Sequence, residues 1–380
     1  MPDRLRVLHV IARMNVGGPA RIVADLMDDL DPGRFDQRLL TGTVGEGEVD
    51  ELALRPRDFP FTRIDGLGRA PNALADPRAL ARVTSEVRAF RPHIVETHTA
   101  KAGVIGRLAA RAARVPATIH AFHGHLLHGY FPPITTRAVV LTERMLARGT
   151  TSLVSVGSTV RDELLAAGIG RPAQYTVIAP GVELTAPLDR AQARVRLGVP
   201  TDGVVVAFVG RLAGVKRPDR FARVAAQVAA RRDDVHFVVA GDGEGRAALE
   251  AAAESSELRG RMTLLGWRAD VTDVYAACDL VLLTSDNEGM PLSLVEAAAA
   301  GRPGVTTAVG SAPEVVVDGV TGYVRAPQDD ALAASVLHLC DDADVRERMG
   351  RAALDRARAR FSRAAMVTEM AALYERVTVS

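Results

Sequence analysis

An α/β architecture built on two doubly wound, Rossmann-like parallel sheets follows from three observations. Short apolar runs alternate with amphipathic helical stretches along the whole chain, the pattern of parallel strands covered on both faces by helices. The alternation falls into two series, parted by an aperiodic segment that carries Pro180, Gly181 and Pro187, and such a composition marks a linker. With 380 residues there is length for two domains, each with its own core.

In the first series, apolar runs predict strands at 6–11, 37–41, 60–64, 94–98, 117–121 and 152–156. Helical spacing predicts helices near 20–30, 77–90, 102–113, 136–148 and 159–167. The second series predicts strands at 203–209, 235–240, 262–265, 280–284 and 304–307, with helices near 217–230, 246–255, 272–277 and 291–300. From Asp329 onward the chain looks helical, with apolar residues at Met366, Met370, Leu373 and Tyr374. Ligands of such folds sit at the carboxyl ends of strands, so the cleft between two domains is the expected site.

Composition excludes several classes. A hydrophobic content of 48%, a charged content of 24% and a net charge of +1 describe an ordinary globular protein. No clustered basic face supports nucleic-acid binding. Cys278 and Cys340 fit neither a metal spacing nor a disulfide framework, so a reducing cytoplasm is the expected compartment. The apolar run from Val7 to Ala12 is too short for the core of a signal peptide. No apolar run reaches the roughly 18 residues of a membrane span.

The most informative segment is Ser285-Asp286-Asn287-Glu288-Gly289-Met290-Pro291-Leu292-Ser293-Leu294-Val295-Glu296. It links a buried strand to a helix that suits Pro291 in its first turn and is stopped by Gly301 and Pro303. Glu288 then lies at the strand's carboxyl end, and Glu296 about two turns into the helix. Free N–H groups at Met290, Leu292 and Ser293 suit a phosphate. The two carboxylates would repel a phosphate but accept hydroxyl donors well. A nucleotide sugar, with phosphates in its middle and polyols at both ends, matches both demands. Two unrelated surface glutamates would explain the spacing alone.

Other strand ends carry further candidates. Gly17 and Gly18 follow the first strand and let backbone approach an anion; a tight turn alone would also place them there, and the dinucleotide fingerprint is absent. Arg211 and Lys216, in Gly210-Arg211-Leu212-Ala213-Gly214-Val215-Lys216-Arg217, leave the strand at 203–209. Together they could neutralise a departing diphosphate, or they are solvated loop residues, with Arg217 opening the next helix. Gly241-Asp242-Gly243-Glu244-Gly245 is a turn that shapes a wall of the site rather than a catalytic element.

His120, His123, His125 and His128 cluster after the strand at 117–121. A zinc site there would lack a nearby Cys or carboxylate, and Gly124 disfavours a regular helix of ligands. An imidazole could instead hydrogen-bond a sugar hydroxyl. The apolar remainder of the loop, Leu126, Leu127, Tyr130, Phe131, Pro132 and Pro133, could meet a lipid or another acceptor, or simply pack. His98 ends another strand and could face the same cleft, with Thr99 as a helix cap.

Gly17-Gly18, Phe122-His123, Gly210-Arg211-x4-Lys216 and Glu288-x7-Glu296 occur in this order over essentially the whole chain. The sequence thereby resembles the retaining nucleotide-sugar glycosyltransferases of family 4, with the GT-B fold of two Rossmann-like domains facing across a cleft. The resemblance implies an acceptor-side domain at 1–183, a donor-binding domain at 184–361 and a C-terminal helix, 362–380, crossing back to the first domain. It implies that His123, Glu288, Arg211 and Lys216 serve catalysis. Arg211 and Lys216 would grip the donor diphosphate, Glu296 the ribose and Glu288 a hydroxyl of the moving sugar. Gly289, Met290 and Leu292 would offer backbone contacts, Gly17 and Gly18 would close on the diphosphate, and His123 would lie beside the transferring sugar.

No cofactor or metal is expected. The implied partners are a nucleotide-sugar donor and a glycan, lipid-linked or small-molecule acceptor, with no nucleic acid. The implied setting is cytoplasmic, with peripheral contact at the inner face of a membrane, and the implied process is bacterial polysaccharide or glycoconjugate biosynthesis. An epimerase or hydrolase acting on nucleotide sugars is the alternative on this scaffold. Two departures from the family pattern stand out: Pro291 removes one N–H, and Arg217 replaces a frequent glycine, with little effect expected.

Overall fold

The computed structural model of the protein describes residues 4–68, 70–124, 127, 132–184 and 188–379. Of these, the residues up to 127, those from 132 to 181 and those from 363 on form one compact unit, and 182–362 form a second.

The first unit contains β1 (Leu5–Arg13), α1 (Gly18–Asp29), β2 (Phe35–Gly42), α2 (Glu51–Leu54), β3 (Phe61–Arg63), α3 (Ala75–Phe90), β4 (Ile94–His98), α4 (Ala100–Ala112), β5 (Ala117–Phe122), α5 (Pro133–Ala147), β6 (Ser152–Ser155), α6 (Ser158–Ala166) and β7 (Tyr175–Val177). Its strands pair in parallel in the order β3-β2-β1-β4-β5-β6-β7. Alternation along the strands separates two cores. Leu8 and Val10 of β1 join Val83, Val87 and Ile105 from α3 and α4 on one face. Val7 of β1, Ile94 of β4 and Ile119 of β5 face the other way.

The second unit contains α7 (Arg190–Leu197), β8 (Val204–Val209), α8 (Pro218–Ala229), β9 (Val235–Ala240), α9 (Arg246–Ala253), β10 (Met262–Gly266), α10 (Val271–Ala277), β11 (Leu280–Leu283), α11 (Leu292–Ala299), β12 (Gly304–Thr307), α12 (Ala312–Val315), β13 (Gly322–Arg325), α13 (Asp329–Asp341) and α14 (Ala343–Arg360). Its parallel sheet runs β10-β9-β8-β11-β12-β13. Both sheets reverse their winding beside the first strand of the unit, β1 against β4 and β8 against β11, which creates the switch points where α/β folds bind ligands.

The last helix, α15 (Arg363–Val379), belongs to the first unit. Met366, Met370, Leu373 and Tyr374 fill the core shared with Leu26 of α1 and the strands. Arg363 fastens it to α1 through Asp29 at 2.6 Å and Asp25 at 3.1 Å.

Five short elements escape the sequence pattern, among them α12, a helix of four residues. β7 and β13 are edge strands of three and four residues, too short to display a period. α2 is a single turn. α7 hides its inward face behind Arg194, which is buried against Asp279 at 2.7 Å and so looks like a surface residue in the sequence. The helix expected from Arg217 begins instead at Pro218, and Arg217 itself is left-handed at φ 51°. The helix expected at 291–300 begins at Leu292, with Pro291 as its N-cap. It ends as the sequence predicts: Arg302 N–H donates to Ala297 O and Gly301 N–H to Ala298 O, closing a Schellman cap.

Candidate functional site

In the second unit the loops after β8 and β11 meet at the switch point. Asp286 N–H donates to Val215 O at 2.8 Å, and Thr284 Oγ1 donates to Lys216 O at 3.1 Å. These bonds bring two sequence candidates together: Lys216 Nζ donates to Glu288 Oε1 at 2.5 Å. Ser285 Oγ donates to the same oxygen at 2.6 Å. Glu288 is buried and Lys216 half-buried. An ammonium carries three donors, so Lys216 can hold Glu288 and still meet a second anion.

The Glu288 loop is backed by residues the sequence did not single out. Thr307 Oγ1 donates to Ser285 O at 2.6 Å, and Ser311 N–H donates to Gly289 O at 2.8 Å. Gly310 adopts φ 48°, and a Cβ there would stand 1.7 Å from Glu288 O, so only glycine fits this close approach. No described residue accepts a bond from the N–H groups of Leu292 or Ser293, as expected for the first turn of a helix, nor from that of Met290, just ahead of the N-cap. Glu296 lies farther along α11, where Tyr275 Oη donates to its Oε2 at 2.8 Å.

Arg211 is exposed, and among the described residues its side chain makes no hydrogen bond or ion pair. Its loop is nonetheless fixed by the glycine-rich turn: Gly245 N–H donates to Leu212 O and Gly214 N–H to Glu244 Oε1, both at 2.8 Å. A Cβ at Gly241 would lie 1.9 Å from Gly210 O. Arg217 does not face the Lys216–Glu288 pair. It ties Asp219 at 2.8 Å to Asp286 at 2.9 Å.

In the first unit Gly17, at φ 154°, is the N-cap of α1, and Gly18 is its first residue. His98 ends β4 with its side chain buried, and its Nδ1 lies 3.0 Å from His123 Nε2. Thr99 is the N-cap of α4, but its hydroxyl does not cap the helix; it accepts from Ala12 N–H at 3.3 Å, and Thr99 holds φ 67°, strained for a β-branched residue. His120 turns away from these groups, with Nδ1 2.8 Å from Thr97 Oγ1. His125, His128, Leu126, Tyr130 and Phe131 lie outside the described residues.

Behind His98 stands a buried polar row. His9 pairs in register with Glu96, its Nδ1 3.3 Å from Glu96 Oε2. His98 Nε2 is 3.9 Å from Glu96 Oε1. The Tyr374 hydroxyl, from α15, donates to Glu96 Oε2. Burial alone would push the Glu96 carboxyl up, but His98, His9 and the Tyr374 hydroxyl outweigh it and hold it at about 2. Burial pushes His98 down to about 3 and His123 down to about 4, so both rings are neutral at pH 7. Glu96, His98 and His123 line a small cavity with Ile22, Leu26 and Met370. His9, Glu96 and His98 also bring ligand-type atoms within 4.8 Å of one another, the one group among the described residues with the spacing to hold a cation.

Two family models match the chain. Residues 17–181 match a "glycosyl transferase 4-like domain" and residues 189–356 match "glycosyl transferases group 1". The chain belongs to the GT4-type glycosyltransferases of GT-B fold. This glycosyltransferase is 28% identical over 352 residues to UDP-Gal:alpha-D-GlcNAc-diphosphoundecaprenol alpha-1,3-galactosyltransferase of Escherichia coli, covering 90% of this chain and 89% of that one. It is 37% identical over 245 residues to D-inositol 3-phosphate glycosyltransferase of Mycobacterium sp. strain KMS, covering 60% of this chain and 54% of that protein, about half its length. The crystal structure of Anabaena HepE in complex with UDP-glucose superposes with a TM-score of 0.83 at 24% identity, covering 98% of this chain and all of that one. The two parallel-sheet units are thus those of the GT-B fold. No helix among the described residues is long and apolar enough to cross a membrane.

Proposed function

We propose that this glycosyltransferase moves a sugar from a nucleoside diphosphate donor to an acceptor hydroxyl with retention of anomeric configuration, in the assembly of a bacterial polysaccharide or glycoconjugate. The observation that carries the reading is the Lys216–Glu288 pair at the β8/β11 switch point, 2.5 Å apart, beside the free amides that open α11. Glu288 Oε2 is left to accept a hydroxyl of the donor sugar. Lys216 and exposed Arg211 supply positive charge for the departing diphosphate, joined by the amides of Gly289, Met290 and Leu292. Glu296 accepts the ribose hydroxyls. On the first unit, Gly17 and Gly18 offer amides to phosphate, and neutral His123 offers a ring nitrogen to a sugar hydroxyl.

No carboxylate is placed as a covalent nucleophile. The acceptor attacks the face the diphosphate leaves, and a diphosphate oxygen takes the acceptor proton. The anomeric carbon–oxygen bond to phosphate breaks as the bond to the acceptor oxygen forms. Arg211 and Lys216 do the work of a divalent cation, so the reaction is expected to need no metal. The name of the Escherichia coli relative supports a lipid-diphosphate-linked glycan as acceptor.

Exposed Ile134, Leu141 and Met145 share a face of α5, flanked by exposed Arg137, Arg144 and Arg148. An apolar stripe edged with cations suits an anionic bilayer surface, where such an acceptor resides.

The test is a panel of nucleotide sugars screened for thermal stabilisation, followed by turnover with lipid-diphosphate-linked acceptors. The expected product keeps the donor's anomeric configuration by NMR and forms at the same rate in EDTA. Sugar release or epimerisation without acceptor, or an inverted product, overturns the reading. Flotation with anionic but not neutral vesicles checks the α5 face.

A further inference from the structure

His123 has two ring nitrogens, and what it can do for a ligand depends on which one carries the proton. Nε2 faces His98 Nδ1 at 3.0 Å, while Nδ1 is buried without a partner. The bond between two neutral imidazoles runs in only one of two directions. His98 decides which, because its own Nε2 points toward Glu96 Oε1 at 3.9 Å, and neither atom has another partner. If His98 carried its proton on Nδ1, the Nε2 lone pair would face an anionic carboxylate inside the protein, where repulsion is weakly screened. With the proton on Nε2 the carboxylate attracts it, and Nδ1 is left to accept.

We propose that Glu96, pinned by the Tyr374 hydroxyl, fixes His98 in the Nε2–H form, which fixes His123 in the Nε2–H form and leaves His123 Nδ1 as a lone-pair acceptor. Glu96, His98 and Tyr374 are positioning residues that act through His123. The proton order is Tyr374 Oη–H to Glu96, His98 Nε2–H toward Glu96, and His123 Nε2–H to His98 Nδ1. His123 therefore accepts from a hydroxyl of the ligand and does not donate to it. Two strands supply this row by simple alternation: Ile94, Glu96 and His98 of β4 share one face, as do Ile119, Ala121 and, just past the end of β5, His123. Glu96 is anionic at neutral pH because its neighbours hold its carboxyl at about 2, and burial keeps both histidines neutral.

The consequence for the ligand rests on the proposed glycosyl transfer; the proton order does not, and the experiment separates them. The full-length protein, labelled with ¹⁵N in its histidines, is examined by long-range ¹H–¹⁵N correlation at pH 7.5, with His123 assigned through His123→Gln. The expected spectrum shows a protonated Nε2 and an unprotonated Nδ1 for both His98 and His123. Glu96→Gln removes the charge and is expected to mix the tautomers of both rings, with kcat lowered roughly tenfold and KM for the nucleotide sugar unchanged. If that variant fails to fold, Tyr374→Phe, nearly isosteric, is expected to shift the same resonances toward a mixture.

A protonated His123 Nδ1 in the unsubstituted protein overturns the proposal, as do tautomers unmoved in the variant that folds. Stoichiometric zinc in the purified protein also overturns it, since a cation held by His9, Glu96 and His98 would need the opposite form of His98. A locked tautomer in a protein whose His123→Gln variant keeps full activity leaves the proton order standing and removes the role of His123 in transfer.

Discussion

Lys216 Nζ lies 2.5 Å from Glu288 Oε1, across 72 residues of sequence and between the loops of two adjacent strands. The residue assigned to the leaving group thus also aims the residue assigned to the sugar. Removing either disturbs both. Lys216→Ala and Glu288→Ala are each expected to lower kcat by about 10²-fold or more, and the double substitution to cost little beyond the worse single one. Steady-state kinetics of the three variants check this, and additive losses would show that the two act independently. Glu288→Gln keeps the shape and is expected to fold with an unfolding midpoint near the parent's while losing turnover.

Gly310 supports the same loop from behind. Gly310→Ala places a methyl group 1.7 Å from Glu288 O and forces a left-handed alanine. The expected cost is at least ~2 kcal/mol, read by urea denaturation, together with a loss of turnover through the displaced Glu288 loop.

Arg217 holds φ 51°, a conformation glycine adopts freely and arginine does not. Arg217→Gly trades its bridges to Asp219 and Asp286 for relief of that strain, whereas Arg217→Ala loses the bridges and keeps the strain. The glycine variant is expected to be more stable than the alanine variant by about 1 kcal/mol in paired chemical denaturation curves, with turnover of both within about twofold of the parent.

The buried row of the first unit makes stability depend on pH. His98 and His123 stay neutral in the folded state down to about 3 and about 4, while the unfolded chain binds protons from about 6.5 downward. Their contribution is complete above pH 6.5 and is lost as pH falls toward those folded values, at up to ~1.4 kcal/mol per pH unit for each ring. Glu96, held at about 2, adds a loss in the same direction between about 4.5 and 2. Asp25, raised by burial to about 6 in spite of Arg363, works the other way: its contribution is present below about 3.8 and lost as pH rises through about 6. Denaturation midpoints are expected to fall from pH 7 to pH 4.5. His98→Gln is expected to flatten that slope.

Much of the second unit was legible because its signals are local. Leu280 to Thr284 announces a buried strand, Gly301 a helix stop, and Glu288 and Glu296 sit within one strand-loop-helix segment. What no local signal could show is that Lys216 belongs on Glu288, since only the pairing of β8 with β11 brings them together. The polar row of the first unit was harder still. His9 and Glu96 each interrupt an apolar run and look like noise in it, yet both keep the parity of their neighbours, Val7 and Ile11 in one strand and Ile94 and His98 in the other. That parity was the available clue. Tyr374 lies 278 residues from the carboxylate it serves, and in the sequence it is only one apolar position of a helix.

The helix that completes the first unit is delivered by the ribosome only after the whole of the second unit. When residues 4–181 have emerged, the groove that takes Met366, Met370 and Tyr374 is empty, and Glu96 is a buried carboxylate without its hydroxyl. The described residues of the second unit all fall between 182 and 362, and it can finish folding first, although it is made later. A nascent chain therefore carries an unsealed apolar face through the synthesis of some 180 residues, and a message cut short before Arg363 yields a protein whose second unit is whole and whose first unit never closes.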